Sequence, residues 1–533
     1  MLRAPAAVAL ALAALVVLRG SGGTGREVSR LADTLRDLYA ERQNPWERWG
    51  RKAPVVPLEG GGEATREEAY RDRALFPDAA AWLLASGLGD DAPLGAWLLG
   101  TLPPSRAREA EDLLVRALAH PDPRTAFEAA RSLAAVGSAR SLPRLRSAAR
   151  TDGPAPLQAV AAWAAERVAE RHGLPREGRG PGRRLTPGFR KGVAWWRSEA
   201  REDAGAKSFR RLASLGVDWV SIHTWDPLQR AADDPRLAEP RRRLGIAGFA
   251  DIVRSAHAAG LRVMLKPHLE MRRYEPRPED LPVLAGPDAA ARRKVLERLR
   301  AEAKARQDEW HNLIEMRSEA DWQEWFRGYG RYLLEYAAQA RDGGADMFCV
   351  GRELDRTVVI RERDWRRLIA RVREVYPGPL VYSANFDTFH QVGFWDALDF
   401  VGVSAYFPLS RRPDPDVEEL QTAWEPILSQ LEDVSRRFDR PLILTELGYP
   451  STAGAAAEPW RETGAPADPW MQARCYEAAL RAFEGRDRIE GAFWWLWEGT
   501  AQPPFRDPSF SIQGKPAAFV VAGWFKGLDT TEP

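Results

Sequence analysis

From residue 190 onward, short apolar runs of strand character alternate with stretches of helical period. The runs are KGVAWW from Lys191, VDWVSIHTW from Val217, RVMLKPHL from Arg262 and MFCVGREL from Met347. They continue with LVYSANF from Leu380, FVGVSAYF from Phe400, PLILTELGYP from Pro441 and GAFWWLW from Gly491. Between them lie amphipathic segments such as FADIVRSAHAAG and WRRLIARVREVY. Strands alternating with helices predict a parallel sheet, and eight such units predict its closure into a (β/α)8 TIM barrel over residues 189–533. An open doubly wound sheet is the alternative. It lacks support, because no Gly-rich phosphate loop follows the first run.

The front of the chain has a different pattern. Residues 80–172 are rich in Ala and Leu and nearly free of strand signals. GDDAPLGAWLLGTL, HPDPRTAFEAARSL and RTDGPAPLQAVAAWAA place Asp91, Asp122 and Asp152 at a near-constant interval, each followed by Pro and a helical pattern. A period of this size predicts stacked helical pairs, because a single pair cannot bury its own apolar face. We assign an all-α repeat region to 28–172 and a linker to 173–188, where Gly, Pro and Arg replace the periodicity. The phrase around His120 resembles short HEAT-type repeats, which implies either a partner-binding surface or a packing shoulder for the barrel.

Residues 2–18 read LRAPAAVALALAALVVL, with Arg3 ahead of the apolar run. This is the pattern of a secretory signal, assigned to 1–22. If uncleaved, residues 4–18 are a membrane anchor. Either way the bulk of the chain is expected outside the cytoplasm, whether secreted, periplasmic or anchored.

Lys+Arg number 77 and Asp+Glu 75, a net charge of +2, which removes the bulk electrostatic case for a nucleic-acid partner. Two cysteines, Cys349 and Cys475, support neither a disulfide framework nor a Cys-based zinc site. No metal-ligand spacing, cofactor motif or G-x-S-x-G turn is visible, so no cofactor and no metal are implied.

In such a barrel the chemistry sits at the C-terminal strand ends. Those ends carry Trp195, His223, Trp225, Lys266, His268, Glu353, Asn385, Tyr406, Glu446, Trp495 and Trp497. The two carboxylates fall on the fourth and seventh strands, which face each other across the mouth. A glycosidic bond breaks through an oxocarbenium-like transition state: one carboxylic acid protonates the leaving oxygen, and a second carboxylate attacks the anomeric carbon or activates water. Two inward glutamates at roughly 5–5.5 Å would suit retention.

The segments LKPHLE at 265–270, GREL at 351–354, WRRLI at 365–369, the long run at 382–410, TELGYPS at 445–451 and GAFWWLW at 491–497 resemble glycoside hydrolase family 113, of the retaining clan A. The resemblance implies hydrolysis of β-1,4-mannan or manno-oligosaccharides by double displacement, with Glu353 as general acid/base and Glu446 as nucleophile. Arg352 departs from the family, which usually has a small polar residue there. Paired with Glu353 it would hold that group ionised; strand alternation turns it away from the mouth.

Tyr406 is expected to hydrogen-bond Glu446. Trp495, then Trp497, are expected as sugar platforms, because 493, 495 and 497 share one face of a regular strand. Lys266, His268 and Asn385 are expected to contact sugar hydroxyls, and His223 and Trp225 to line a subsite. The charged insertion 270–309, with a helix expected from Asp288 to Gln307, reads as a wall or lid. A non-catalytic sugar-binding barrel and a scaffold acting through the repeats remain as alternatives.

Overall fold

The computed structural model describes residues 107–174 except 152, 185–196, 204–229, 231–237, 246–271, 288–305, 310–498 except 463 and 464, and 507–527. It also describes the shorter stretches 55–57, 63–65, 76–85, 91–100 and the single positions 102 and 283. The expected signal or anchor segment and most of the expected linker lie outside these residues.

Eight parallel strands close a barrel: β1 (Arg190–Trp196), β2 (Trp219–Gln229), β3 (Arg262–Met271), β4 (Met347–Arg352), β5 (Leu380–Asn385), β6 (Phe400–Ser404), β7 (Leu442–Leu447) and β8 (Ile489–Glu498), with β8 pairing to both β7 and β1. Each expected run is a strand, in the expected order. The interior is a filled core. Trp219, Met264, Met347, Cys349, Val381, Phe400, Ile443 and Phe493 form one buried apolar cluster, with all but β1 contributing a side chain. Along β3 the inward positions continue at period two from Met264 to Lys266, His268 and Glu270, so apolar filling gives way to polar groups toward the C-terminal end.

Helices cover the outside. The long helix Glu319–Gly343 starts on a Ser318 cap whose hydroxyl accepts from Asp321 N, and ends at Gly344 in the left-handed region. Its buried stripe of Trp322, Trp325, Phe326, Tyr329, Leu333 and Tyr336 follows helical spacing. The insertion after β3 contains a helix at Ala289–Ala305, inside the expected range.

Among the described residues, six α-helices precede the barrel: α1 (Phe76–Ala85), α2 (Asp91–Leu99), α3 (Ala107–Ala117), α4 (Pro123–Val136), α5 (Leu142–Arg150) and α6 (Ala155–Arg171). Asp122 caps α4 by accepting from Arg124 N, with Pro123 at the first helical position, so the Asp-Pro element marks a helix start. The stack docks on the barrel's last helix (Pro516–Lys526). Phe519 sits edge-on to Phe127 at 5.3 Å and to Trp163 at 5.1 Å, Arg131 Nη1 donates to Gly514 O at 3.0 Å, and Lys526 pairs with Glu166. The repeats are therefore at least a packing shoulder of the barrel. Among the described residues, no helix is long and apolar enough to cross a membrane.

Candidate active site

Three irregularities in strand pairing aim the side chains at the mouth. Between β4 and β5, Cys349 pairs with Val381 but Arg352 pairs with Ser383, so β4 has one extra residue. Such a bulge shifts the inward–outward alternation by one. Gly351 lies against the helix layer, where an added Cβ would come within about 3 Å of Trp365, Tyr329 and Tyr382, and Arg352 turns inward. The chain then enters the left-handed region at Glu353, φ 50°, whose N–H donates to Ser383 O at 2.8 Å. Arg352 and Glu353 therefore both reach the mouth. The expectation that alternation turns Arg352 away fails because the strand is not regular there.

β7 repeats the device. Val403 pairs with Leu444 and Ser404 with Glu446, one extra residue in β7. Ser383 Oγ lies 2.6 Å from Thr445 Oγ1 and 2.9 Å from Ser404 Oγ, a buried hydroxyl layer beneath the two glutamates. β8 bulges third: Trp494 pairs with Val193 and Trp497 with Trp195, and the Trp495–Leu496 peptide within the bulge is cis.

The two glutamates belong to one buried cluster. Glu446 Oε1 accepts from Lys266 Nζ at 2.6 Å, and its Oε2 accepts from Tyr406 at 2.9 Å. His268 Nε2 stands 3.7 Å from Glu446 Oε1, and its Nδ1 3.9 Å from Glu270 Oε1. Arg352 bridges Glu270 (Nη2 to Oε1, 2.5 Å) and Glu353 (Nη1 to Oε2, 2.9 Å). His311 completes the ring, 3.3 Å from Glu353 Oε2 and 3.7 Å from Glu270 Oε2.

Burial alone would raise Glu353, but Arg352 and His311 outweigh it and hold its carboxyl far below the usual range. Glu270 is lowered by the same balance. His311 runs the other way: burial and Arg352 push it down, and its hydrogen bonds to Glu270 and Glu353 push it above its ordinary value. His223 and His268 lie well below the usual histidine range through burial and the nearby cations, and so are neutral. Asp355, two residues beyond Glu353, is raised by burial to about 6.

Several expected contacts are placed differently. Lys266 and His268 are fully buried and surround Glu446, so they hold the carboxylate rather than present donors to an open cleft. Trp495 stacks on His268 (6.5 Å, 14°) and meets His223 edge-on at 5.1 Å, at the site. Trp497 is outside the wall, 1% exposed, with the Arg211 guanidinium 5.8 Å from its ring, because the β8 bulge reverses its face. Trp195 is also outside, tilted against Phe209 at 5.0 Å. It shares the outward face with Val193, so strand-end position alone misassigned it. His223 Nδ1 meets His268 Nε2 at 2.8 Å, and its Nε2 meets Ser221 Oγ at 2.6 Å. Asn385 reaches Asp355 Oδ2 at 3.4 Å, beside Glu353. The side chain of Trp225 lies outside the described residues.

Glu270 and His311 are site residues that the sequence reading missed. Period two from Lys266 and His268 leads directly to Glu270; His311 sits on a one-turn helix, His311–Leu313, that no pattern links to the mouth. Trp460 was also missed. It is 44% exposed on the segment after β7 and stacks on Phe386 (5.5 Å, 12°), the residue following Asn385.

His223, His268 and Glu446 hold ligand-type atoms within 4.8 Å of one another. They make a poor cation site. Lys266 already occupies Glu446 Oε1, and the facing histidine nitrogens are spent on each other.

The model of Glycoside Hydrolase Family 113 matches residues 298–515, and that of HEAT repeats matches residues 79–166. The GH113 β-mannanase AaManA from Alicyclobacillus acidocaldarius is 28% identical with a TM-score of 0.52, over 64% of this chain and 99% of that one. A second structure, a GH113 β-1,4-mannanase at 23% identity, shares the fold with a TM-score of 0.51, over 63% of this chain and 99% of that one. No curated protein matches this chain. The barrel that carries Glu353 and Glu446 is glycoside hydrolase family 113-like, and the helical region before it is HEAT-like.

Proposed function

We propose that the chain is a retaining glycosidase of β-linked glycans, with β-1,4-mannan or manno-oligosaccharides as substrate. The observation that carries the reading is the setting of Glu446, a buried carboxylate held on both oxygens by Lys266 and Tyr406 in the same cluster as Glu353. A nucleophile needs that fixed orientation. The family match supports a clan A glycosidase; the similarity to β-mannanases favours mannan.

In the first step a Glu446 oxygen bonds to the anomeric carbon. The bond from that carbon to the leaving oxygen breaks, and Glu353 delivers its proton to the departing oxygen. In the second step Glu353 takes a proton from water as the water oxygen attacks the same carbon and releases Glu446. Glu353 must therefore carry a proton before the first step. Arg352 is shared with Glu270 at 2.5 Å, so it can leave Glu353 without losing its counter-charge, and His311 stands 3.3 Å away as a proton donor.

The same Arg352–Glu353 pair favours a second reading, a sugar-binding barrel without turnover, because an ionised Glu353 cannot act as the acid. Digestion of mannan, glucan, xylan and chitin oligosaccharides, with product anomers followed by proton NMR, tests both. Retained β-product from mannan supports the first reading. Calorimetric sugar binding without product from any of the four supports the second.

The loss in Glu446→Ala should be roughly 10⁴-fold or more, the scale on which removing a nucleophile acts. Azide should partly restore turnover with inverted stereochemistry. Wild-type activity in that variant removes Glu446 from the mechanism.

The exported location expected from residues 1–22 is part of the same proposal, since a polymeric glycan is met outside the cell.

A further inference from the structure

The outer face of β8, behind the active-site wall, borders a cavity of about 620 Å³ between the HEAT-like helices and the barrel. One side is the repeat stack, with Trp97, Arg131 and Ser132, Trp163 and Arg167. The other is the barrel, with Arg210 and Arg211 of the helix Ala204–Ser214, Trp497 of β8 and Phe519 of the last helix.

The chemistry of this lining is one-sided. Four guanidinium side chains border the space, and no Asp or Glu is among its described lining residues. Glu128 and Glu170 pair with Arg131 and Arg167 but are not themselves among the lining residues. The indole N–H groups of Trp497 and Trp163 are buried without a hydrogen-bond partner. The Arg211 guanidinium stands 5.8 Å from the Trp497 ring at this wall.

Guanidinium forks recognise oxyanions in bidentate geometry. The aromatic walls offer flat faces, and the volume falls in the range of small-molecule sites, about 300–1,000 Å³. We infer that this interdomain cavity binds a small oxyanion carried on a ring, such as a phosphorylated, sulfated or uronic sugar. The site is separate from Glu353 and Glu446, because β8 turns Trp495 to the mouth and Trp497 to this cavity. The inference does not depend on the glycosidase reading. Because both domains supply donors, occupancy would also tie the repeats to the barrel.

The test is isothermal calorimetry on the full chain with glucose 6-phosphate, glucuronate, inorganic phosphate, inorganic sulfate and neutral glucose. At least one anion should bind at about millimolar Kd or tighter, with a change in tryptophan emission, and neutral glucose should not bind. Binding of glucose 6-phosphate or glucuronate alone identifies a sugar acid; equal binding of inorganic phosphate or sulfate identifies the bare oxyanion as sufficient. Arg210→Gln with Arg211→Gln should weaken binding by more than about tenfold. Ala134→Phe, which fills the cavity and removes no charge, should weaken it too and serves if the arginine variants fail to fold. No binding of any anion by the wild-type chain, or undiminished binding in a folded variant of either kind, overturns the proposal.

Discussion

Arg352 and Glu353, neighbours in sequence, both point into the barrel mouth and meet at 2.9 Å, because a bulge turns the first inward and a left-handed residue turns the second. Arg352→Gln is therefore expected to raise the pKa of Glu353 and extend the protonated form to higher pH. In a kcat/KM profile the alkaline limb, which follows the acid, should move up. An unmoved limb would show that Glu353 is not the proton donor. The same substitution strips the counter-charge from Glu270 and Glu353, which are otherwise buried. Removing one partner of a buried pair costs about 3–5 kcal/mol, so the variant should also melt earlier.

Lys266 and Glu446 meet at 2.6 Å with side chains 0% and 2% exposed. Lys266→Met should cost about 3–5 kcal/mol of stability, read by urea unfolding, because it leaves a buried carboxylate without its cation. Tyr406→Phe is the gentler probe. It removes one hydrogen bond to a charged group, about 1.5–3 kcal/mol, so kcat should fall roughly 10- to 100-fold with KM little changed. A pure KM effect would place Tyr406 on the substrate instead.

The three tryptophans separate binding from packing. Trp495→Ala and Trp460→Ala should raise KM for oligosaccharides, since one stands at the site and the other is exposed beside Asn385 on Phe386. Trp497→Ala should lower the melting temperature through a cavity of about 3–5 kcal/mol and leave KM alone. A raised KM in a folded Trp497→Ala protein would contradict the face that the β8 register assigns to it.

The eight strands, their order and the helices between them follow from periodicity, because a filled barrel demands the same apolar spacing on every strand. The placement of Glu353 and Glu446 at the C-terminal ends of β4 and β7 was equally legible. Which way individual strand-end residues point was not. Alternation put Arg352 outside and Trp497 inside, and both are reversed by a single inserted residue. A bulge depends on which partner residue takes the hydrogen bond, and that is a property of two strands far apart in sequence. Glu270 lies on a regular stretch of β3 and could have been read from the alternation that links Lys266 to His268.

Acid stability should depend on the same cluster. Glu353 and Glu270 have folded values below their ordinary 4.5, so their contribution is complete above 4.5 and is lost as pH falls through the lower folded values. Glu353→Gln should flatten that limb of a melting-temperature profile. His311 has a folded value above its ordinary 6.5, so its contribution is complete below 6.5 and is lost as pH rises through the folded value. His311→Gln should flatten the alkaline limb. If His311→Gln leaves that limb unchanged, the imidazole carries no proton in the folded state and cannot be the donor that recharges Glu353.

The helical region and the barrel meet through Phe519, held edge-on between Phe127 and Trp163 and buried to 4% exposure. Phe519→Ala removes an aromatic ring that both domains enclose and should cost about 3–5 kcal/mol. The loss should fall on both domains if they unfold together, since the repeats and the barrel share this core. Hydrogen exchange resolves the question: amides of Ala155–Arg171 and Pro516–Lys526 should lose protection in parallel. Loss confined to the repeats, with barrel protection intact, would mean that the barrel folds without its shoulder and that the repeats are a separable module.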